Sequence, residues 1–319
     1  MPGHRYPRDV PSITPRFEVI SDLASVGPLV TDLFDAATTA DGRPPLSDQL
    51  RLDLAHGGRP GSRAAIARNG SDSVIGYAQS SHGNDTTVVQ LVVHPDHRQH
   101  IDRLGEPLLR QVSASSTGDA ATPEVTWWVP EPDASHHRLA ALLGWSPGRR
   151  LLQMRRALPT GESVEIEVRP FRPGLDDAAW IEVNNRAFRA HGEQGGWDLP
   201  TLHQRMAEEW FDPDGFLVHE RNGRMAGFCW TKLHRELDPV EGEIYVIAVD
   251  PEFHGAGLGR QLTLAGLDAI ARQGVTIGML FVDADNSAAV RLYERLGFIV
   301  NRIDLAFVGP PPVSEGAHT

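Results

Sequence analysis

Three glycines at alternate positions, Gly255, Gly257 and Gly259, follow an apolar, β-branched run from Ile244 to Val249. They precede a helical pattern through Leu262, Leu264, Leu267 and Ile270. A strand, a glycine loop and a helix make a cradle for phosphate: small residues let backbone N–H groups approach an anion, and the helix N-terminus adds partial positive charge. A Walker loop would need Lys-Ser/Thr after its last glycine, where Arg260-Gln261 stand. A dinucleotide fingerprint would need glycine at Arg260 or Leu262. The spacing that remains is a basic or polar residue, two positions, Gly, one position, Gly, here His254, Gly257 and Gly259. Two carboxylates, Glu241 and Glu243, open the same strand. Tyr293 follows Asn286 by seven residues, two turns along one helix face, so both can line one groove. The single cysteine, Cys229, lies in an apolar run and reads as core rather than nucleophile.

The elements that must position these groups recur twice along the chain. Residues 1–15, with four prolines, read as a flexible arm, and 309–319 as a loose tail. A helix is expected from Phe17 to about Phe34, and another from Ser47. Strands follow around 65–68, 74–78 and 86–93, then a helix 104–112, a strand 125–129, a helix 135–143 and a strand 151–156. After a linker at 159–164, strand 165–169, helices 176–190 and 202–210, and strands 216–220 and 225–232 lead to the glycine loop. Strand 277–282, helix 286–296 and strand 301–307 close the series. Arg68-Asn69-Gly70 parallels Arg221-Asn222-Gly223, Leu91 to Pro95 parallels Ile247 to Pro251, and Leu143-Gly144-Trp145 parallels Leu296-Gly297-Phe298. The chain is therefore an internal repeat of two α/β (α+β) units, 16–158 and 165–308, each of strands and helices in the same order.

A length of 319 residues suits two such units, and a net charge of −12 argues against nucleic-acid binding. No apolar run approaches the ~20 residues that span a bilayer, and the first residues lack the apolar core of a signal peptide. A cytoplasmic monomer acting on small molecules is expected. Lys232 is the only lysine among 30 basic residues, which singles it out.

The cradle spacing resembles that of the GNAT acyltransferases, which hold acetyl-CoA there; the family usually has Gln or Arg where His254 stands. The resemblance implies two tandem GNAT domains, each a mixed, mainly antiparallel sheet flanked by helices, with acetyl-CoA as co-substrate and no metal. It implies that backbone N–H groups at Ile247, Ala248 and Val249 polarise the thioester. The pyrophosphate would sit on His254, Gly255, Ala256, Gly257, Leu258, Gly259 and Arg260, and the pantetheine arm along Asn286, Ser287, Ala288, Ala289, Val290 and Arg291. Tyr293 holds the position of the family's acid, which protonates the leaving thiolate, and Glu243 that of the base, directly or through one water. The first unit has Arg98, Ile101 and Arg103 where the second has His254, Gly257 and Gly259, Ala140 for Tyr293 and Thr87 for Glu243. It is expected to be degenerate and non-catalytic. Any vestigial site in it would use Leu91, Val92, Val93, Arg98 and Arg103.

Further segments, Val183-Asn184-Asn185, His191 to Trp197, Trp210 to Gly215, Trp230-Thr231-Lys232, Glu243 to Val246 and Asp285-Asn286, resemble the mycothiol synthases, a tandem GNAT family. That resemblance implies acetyl transfer to the cysteinyl amine of Cys-GlcN-inositol. It places Asp48, Glu193, Lys232, Glu243 and Phe281 against this acceptor; the family has a tyrosine where Phe281 stands, so one hydroxyl is lost. Another small amine, such as an aminoglycoside, or a protein N-terminus, is the alternative acceptor, and a non-catalytic CoA-binding module the alternative class.

Overall fold

The computed structural model describes residues 14–58, 60–82, 86–114, 124–189 and 195–312. The first half runs β1 (Arg16–Ile20), α1 (Gly27–Asp41), α2 (Asp48–His56), β2 (Arg63–Arg68), β3 (Val74–His82) and β4 (Thr86–Val93). It continues with α3 (Ile101–Ser113), β5 (Glu124–Pro130), α4 (Ala134–Leu142) and β6 (Ser146–Ala157). The second half repeats the order with β7 (Arg169–Pro170), α5 (Asp177–Ala187), α6 (Leu199–Met206), β8 (Phe216–Arg221), β9 (Arg224–His234) and β10 (Glu241–Val249). Then come α7 (Leu258–Arg272), β11 (Ile277–Asp283), α8 (Ser287–Arg295) and β12 (Ile299–Gly309).

Two expected elements differ. The helix expected from Phe17 is a strand up to Ile20, paired antiparallel with β2, and the helix begins only at Gly27. Apolar residues spaced three or four apart ran across a strand and a helix. The true boundary is marked by Asp22, whose carboxylate accepts from the Ala24 N–H, and by Pro28 in the first helical turn. The strand expected at 165–169 pairs only at Arg169 and Pro170. Upstream of it the Glu165 N–H donates to Gln261 Oε1 at 2.7 Å, and Val164, Ile166 and Val168 pack on the core without a ladder partner. At the C-terminal end, Gly309 still belongs to β12, and the Pro310 carbonyl accepts from the Trp145 indole N–H at 3.0 Å. Most of the arm and the tail, residues 1–13 and 313–319, lie outside the described residues.

All twelve strands form one sheet in the order β1-β2-β3-β4-β5-β12-β6-β11-β10-β9-β8-β7. The halves exchange their last strands. β12, from the second half, pairs antiparallel with β5 of the first, and β6, from the first half, pairs antiparallel with β11 of the second. β12 and β6 pair with each other at the centre. Each half buries an apolar cluster on both faces. In the second half one cluster holds Leu262, Leu264, Leu267 and Ile270 of α7 with Tyr293 of α8, and the other holds Trp180, Phe216, Phe228 and Trp230 beneath α5 and α6. Helix α7 lies close on the sheet because Gly266 has no side chain: a Cβ there would stand 2.4 Å from Cys229 Sγ. Cys229 is fully buried and burial pushes its thiol well above the ordinary range, as suits a core residue.

Two features of β10 open the cleft. Its parallel pairing with β11 covers only Gly242 to Ile244, although β10 continues to Val249 and β11 to Asp283. The register with β9 shifts between Ile244 and Val246, leaving Tyr245 as the extra residue of a bulge. Beyond Ile244 the two parallel strands have no ladder between them, so backbone edges of β10 face a wedge.

Candidate active site

The cradle is a short turn between β10 and α7. Asp250 accepts from the Glu252 N–H, and Pro251 fixes the turn that ends the strand. Gly255 and Gly257 have φ of 83° and 73°, the left-handed region, and a Cβ at either would meet nothing within 4 Å. Residues 254–257 are exposed. Among the described residues, the N–H groups of Gly255, Ala256, Gly257, Leu258 and Gly259 have no hydrogen-bond acceptor, while those of Arg260 and Gln261 bond to the Gly257 carbonyl. Five free donors at the mouth of a fifteen-residue helix are the donor set that a pyrophosphate needs, and the missing side chains leave room for it. His254 lies off that row: its Nε2 donates to the Val249 carbonyl at 3.0 Å and ties the loop back to the strand. Arg260 is ion-paired with Glu162 of the linker.

Asn286 Oδ1 accepts from the Ala289 N–H at 3.1 Å and caps α8. Asn286, Ser287, Ala288 and Arg291 are exposed, and Ala289 and Val290 are half-buried. Helix α8 touches the cradle through Leu292, whose Cδ2 lies 3.6 Å from where a Gly259 Cβ would be. Tyr293 turns inward, packs edge-on against Phe298 at 5.8 Å and is 8 % exposed. Burial, with the neighbouring Cys229 thiol, holds its hydroxyl well above the usual tyrosine range, so it stays protonated. Its hydroxyl makes no hydrogen bond among the described residues.

At the other end of β10, side chains of alternate residues on two antiparallel strands share one face. Glu243 lies opposite Lys232, and Glu241 opposite His234. Glu243 is 8 % exposed, and its Oε2 lies 2.6 Å from His234 Nε2. The other ring nitrogen, Nδ1, lies 2.9 Å from Glu236 Oε1. Burial alone would lower the His234 pKa, but the hydrogen bonds to Glu236 and Glu243, with the Glu243 charge, raise it to about 9. Glu241 is held up by burial, against the Arg155 guanidinium at 3.0 Å.

Lys232 is 4 % exposed; its Nζ lies over the Trp210 ring at 4.9 Å and donates to Asp48 Oδ2 at 2.5 Å. Burial pushes Asp48 up, yet the Lys232 charge and hydrogen bond, with Arg51 and Arg205, hold it below the usual carboxylate range. Asp48 begins α2 of the first half, and the next residue, Gln49, accepts from Arg205 of α6 at 2.7 Å. One wall of the second half's cleft is thus built by the first half. Phe281, on β11, lies beneath the Arg302 guanidinium at 5.7 Å. Glu193 lies outside the described residues.

The structure therefore groups Glu243, Lys232 and Asp48, and separately groups the cradle with the helix that carries Asn286 and Tyr293. No direct contact joins Tyr293 to Glu243. His234 and Glu236 were missed in the sequence, although the alternation Lys232-Leu-His234 facing Glu241-Gly-Glu243 could have exposed His234; Trp210 and Tyr245 lay in segments that carried the resemblance but had no role assigned.

The first half forms the same wedge without the cradle. β4 pairs with β5 only from Thr86 to Val89, and beyond it opens a cleft of about 320 Å³ lined by Leu91, Val92, Val93, Arg98 and Trp127 among others. Arg98 donates to the Val93 carbonyl, as His254 does to Val249, and makes two 2.8 Å bonds to Asp41. Its charge is satisfied inside the protein. Arg103 stands exposed on α3, outside that lining. Gly105 is a packing glycine within α3, where a Cβ would lie 2.6 Å from Leu139 Cδ2.

Residues 179–298 match the model of the Acetyltransferase (GNAT) family. Over 302 residues the chain is 41 % identical to a mycothiol acetyltransferase of Streptomyces avermitilis, covering 90 % of this chain and 94 % of that protein. Over 286 residues it is 42 % identical to one of Thermobispora bispora, covering 87 % and 94 %. The chain belongs to the mycothiol acetyltransferase family. Its fold is shared with a tandem GNAT protein from the clavulanic acid biosynthesis pathway, at a TM-score of 0.68 with 17 % identity over 95 % of this chain and all of that one. It is also shared with a GCN5-related N-acetyltransferase from Sphaerobacter thermophilus, at 0.67 with 23 % identity over 93 % and 96 %. The fold is the GNAT fold in tandem, and the chain is an acetyl-CoA-dependent N-acetyltransferase.

Proposed function

We propose that the second half transfers the acetyl group of acetyl-CoA to the cysteinyl amine of Cys-GlcN-inositol, the last step of mycothiol synthesis. Support comes from the family and from one observation above the rest, the buried polar wall of Glu243, Lys232 and Asp48 beside a wedge that ends in an intact cradle. A peptide acceptor would favour an open apolar groove; a pseudodisaccharide with an ammonium and many hydroxyls favours this wall.

Acetyl-CoA supplies the acetyl group as a thioester. The free N–H groups of the glycine loop hold its pyrophosphate, and the unpaired edge of β10 at Ile247 to Val249 polarises the carbonyl. Glu243 accepts a proton from the acceptor ammonium, directly or through one water, freeing the nitrogen lone pair. The amine forms its bond to the acetyl carbon as the carbon–sulfur bond breaks; Tyr293 gives its proton to the departing thiolate, and the second proton lost by the acetylated nitrogen, relayed through solvent, restores the tyrosine. Lys232 donates to acceptor hydroxyls, and Asp48 holds that ammonium in place from the first half. Glu193 completes the acceptor contacts, and Phe281 offers ring packing with the Arg302 guanidinium above it. The first half binds and braces without catalysing, and the whole acts as a cytoplasmic monomer. Acetyl-CoA consumption measured with Cys-GlcN-inositol beside glucosamine, cysteine and aminoglycosides tests the reading. Turnover on Cys-GlcN-inositol should exceed the others by at least about 100-fold; faster turnover of an aminoglycoside would replace it.

A further inference from the structure

His234 stands between two carboxylates, and neither bond is incidental. Its Nε2 reaches Glu243 Oε2 at 2.6 Å and its Nδ1 reaches Glu236 Oε1 at 2.9 Å. Both partners are acceptors when ionised, so the ring satisfies both only by donating from both nitrogens, as an imidazolium. The ring is nearly enclosed, with a side-chain exposure of 14 %, whereas Glu236 is 44 % exposed. The charged neighbours are Lys232 on the same strand, Glu241 and Glu243 on β10, and Glu236 in the turn, with Arg155 of β6 behind Glu241.

We propose that His234 is the positioning residue of the reaction: bridging Glu236 and Glu243, it holds one oxygen of Glu243 and leaves the other, Oε1, to meet the acceptor ammonium. This rests on the reading of Glu243 as base. A carboxylate held at one oxygen cannot rotate away, and a neighbouring cation favours its ionised form, the form that accepts a proton. The raised pKa of His234, about 9, keeps that cation in place at neutral pH. Glu236 tethers the far side of the ring and offsets its charge. His234 itself touches no reacting atom.

The test uses the full chain with acetyl-CoA and Cys-GlcN-inositol, and reads kcat and KM across pH for wild type, His234→Ala and His234→Gln. Alanine removes both the tether and the charge, whereas glutamine keeps a donor but no charge. The expected result is a kcat at least about 10-fold lower in His234→Ala with KM for acetyl-CoA unchanged. His234→Gln should recover most of the neutral-pH kcat, and in both variants the acid limb of the pH profile should move to higher pH. Wild-type rate and profile in His234→Ala would overturn the proposal. So would equal losses in both variants with unmoved limbs, which mark a merely structural role. Should His234→Ala fail to fold, Glu236→Gln at the exposed carboxylate decides. There the His234 titration, followed by nitrogen NMR, should fall from about 9, and the rate profile should move with it; an unmoved titration or profile overturns the proposal. Glu243→Gln separates the two readings: full activity in that variant removes the base assignment, while a dead Glu243→Gln beside an unaffected His234→Ala removes only the role of His234.

Discussion

Tyr293 turns its ring into the core of α8 and keeps a protonated hydroxyl without a hydrogen-bond partner, while Ala140 takes the matching place in the first half. Tyr293→Phe is therefore expected to lower kcat by about 10- to 1,000-fold with little change in acetyl-CoA affinity, measured by steady-state kinetics beside calorimetry. A stability prediction follows from His234. Its folded pKa is raised from 6.5 to about 9, so the folded chain holds an extra proton between those values. The stabilisation is full below about pH 6.5 and is lost as pH rises through about 9. It is on the order of 3 kcal/mol at most. Thermal midpoints of the wild type should fall across that window, and those of His234→Gln should fall less. Glu243, Tyr293 and Lys232 stood out in the sequence as a strand-opening carboxylate, a tyrosine two turns after Asn286 and the only lysine, and the family resemblance supplied the roles proposed for them. His234 was passed over, since the alternation that hints at it gains its meaning only from the register of β9 with β10 across the turn from 235 to 240.

At the scale of elements, the cradle owes its shape to two left-handed glycines in an open turn. Gly257→Val should strain a backbone held at φ 73°, where a β-branched residue is strongly disfavoured, although nothing lies within 4 Å of the added Cβ itself. The expected result is a fold with an unchanged far-ultraviolet spectrum and a KM for acetyl-CoA raised about 10-fold or more. Loop, strand and hairpin signals around this turn were readable because proline and glycine punctuate them. Two other elements were misread for opposite reasons. Between Phe17 and Gly27, helical spacing continued by chance through a strand; at 165–168, strand-like residues reach no ladder partner, and pairing begins only at Arg169. Ladder pairing belongs to the neighbour as much as to the segment.

For the whole molecule, the sequence repeat announced two similar units but not the exchange of their last strands, because the pattern within a strand does not say which distant strand it pairs with. The exchange makes separation costly. Expressed alone, residues 165–319 would leave β11 without β6, and residues 1–158 would leave β5 without β12. Each fragment should be recovered largely as aggregate, and co-expression of the two should restore soluble, active protein, as read by size-exclusion chromatography and the acetylation assay. The same pairing bears on synthesis. β12 is the neighbour of a strand that leaves the ribosome about 180 residues earlier. The first half can bury its helices as it emerges, but its edge at β5 stays unpaired until β12 has been made. A stop anywhere before β12 thus leaves β5 and β6 each without that neighbour, so that only chains that reach Gly309 close the sheet.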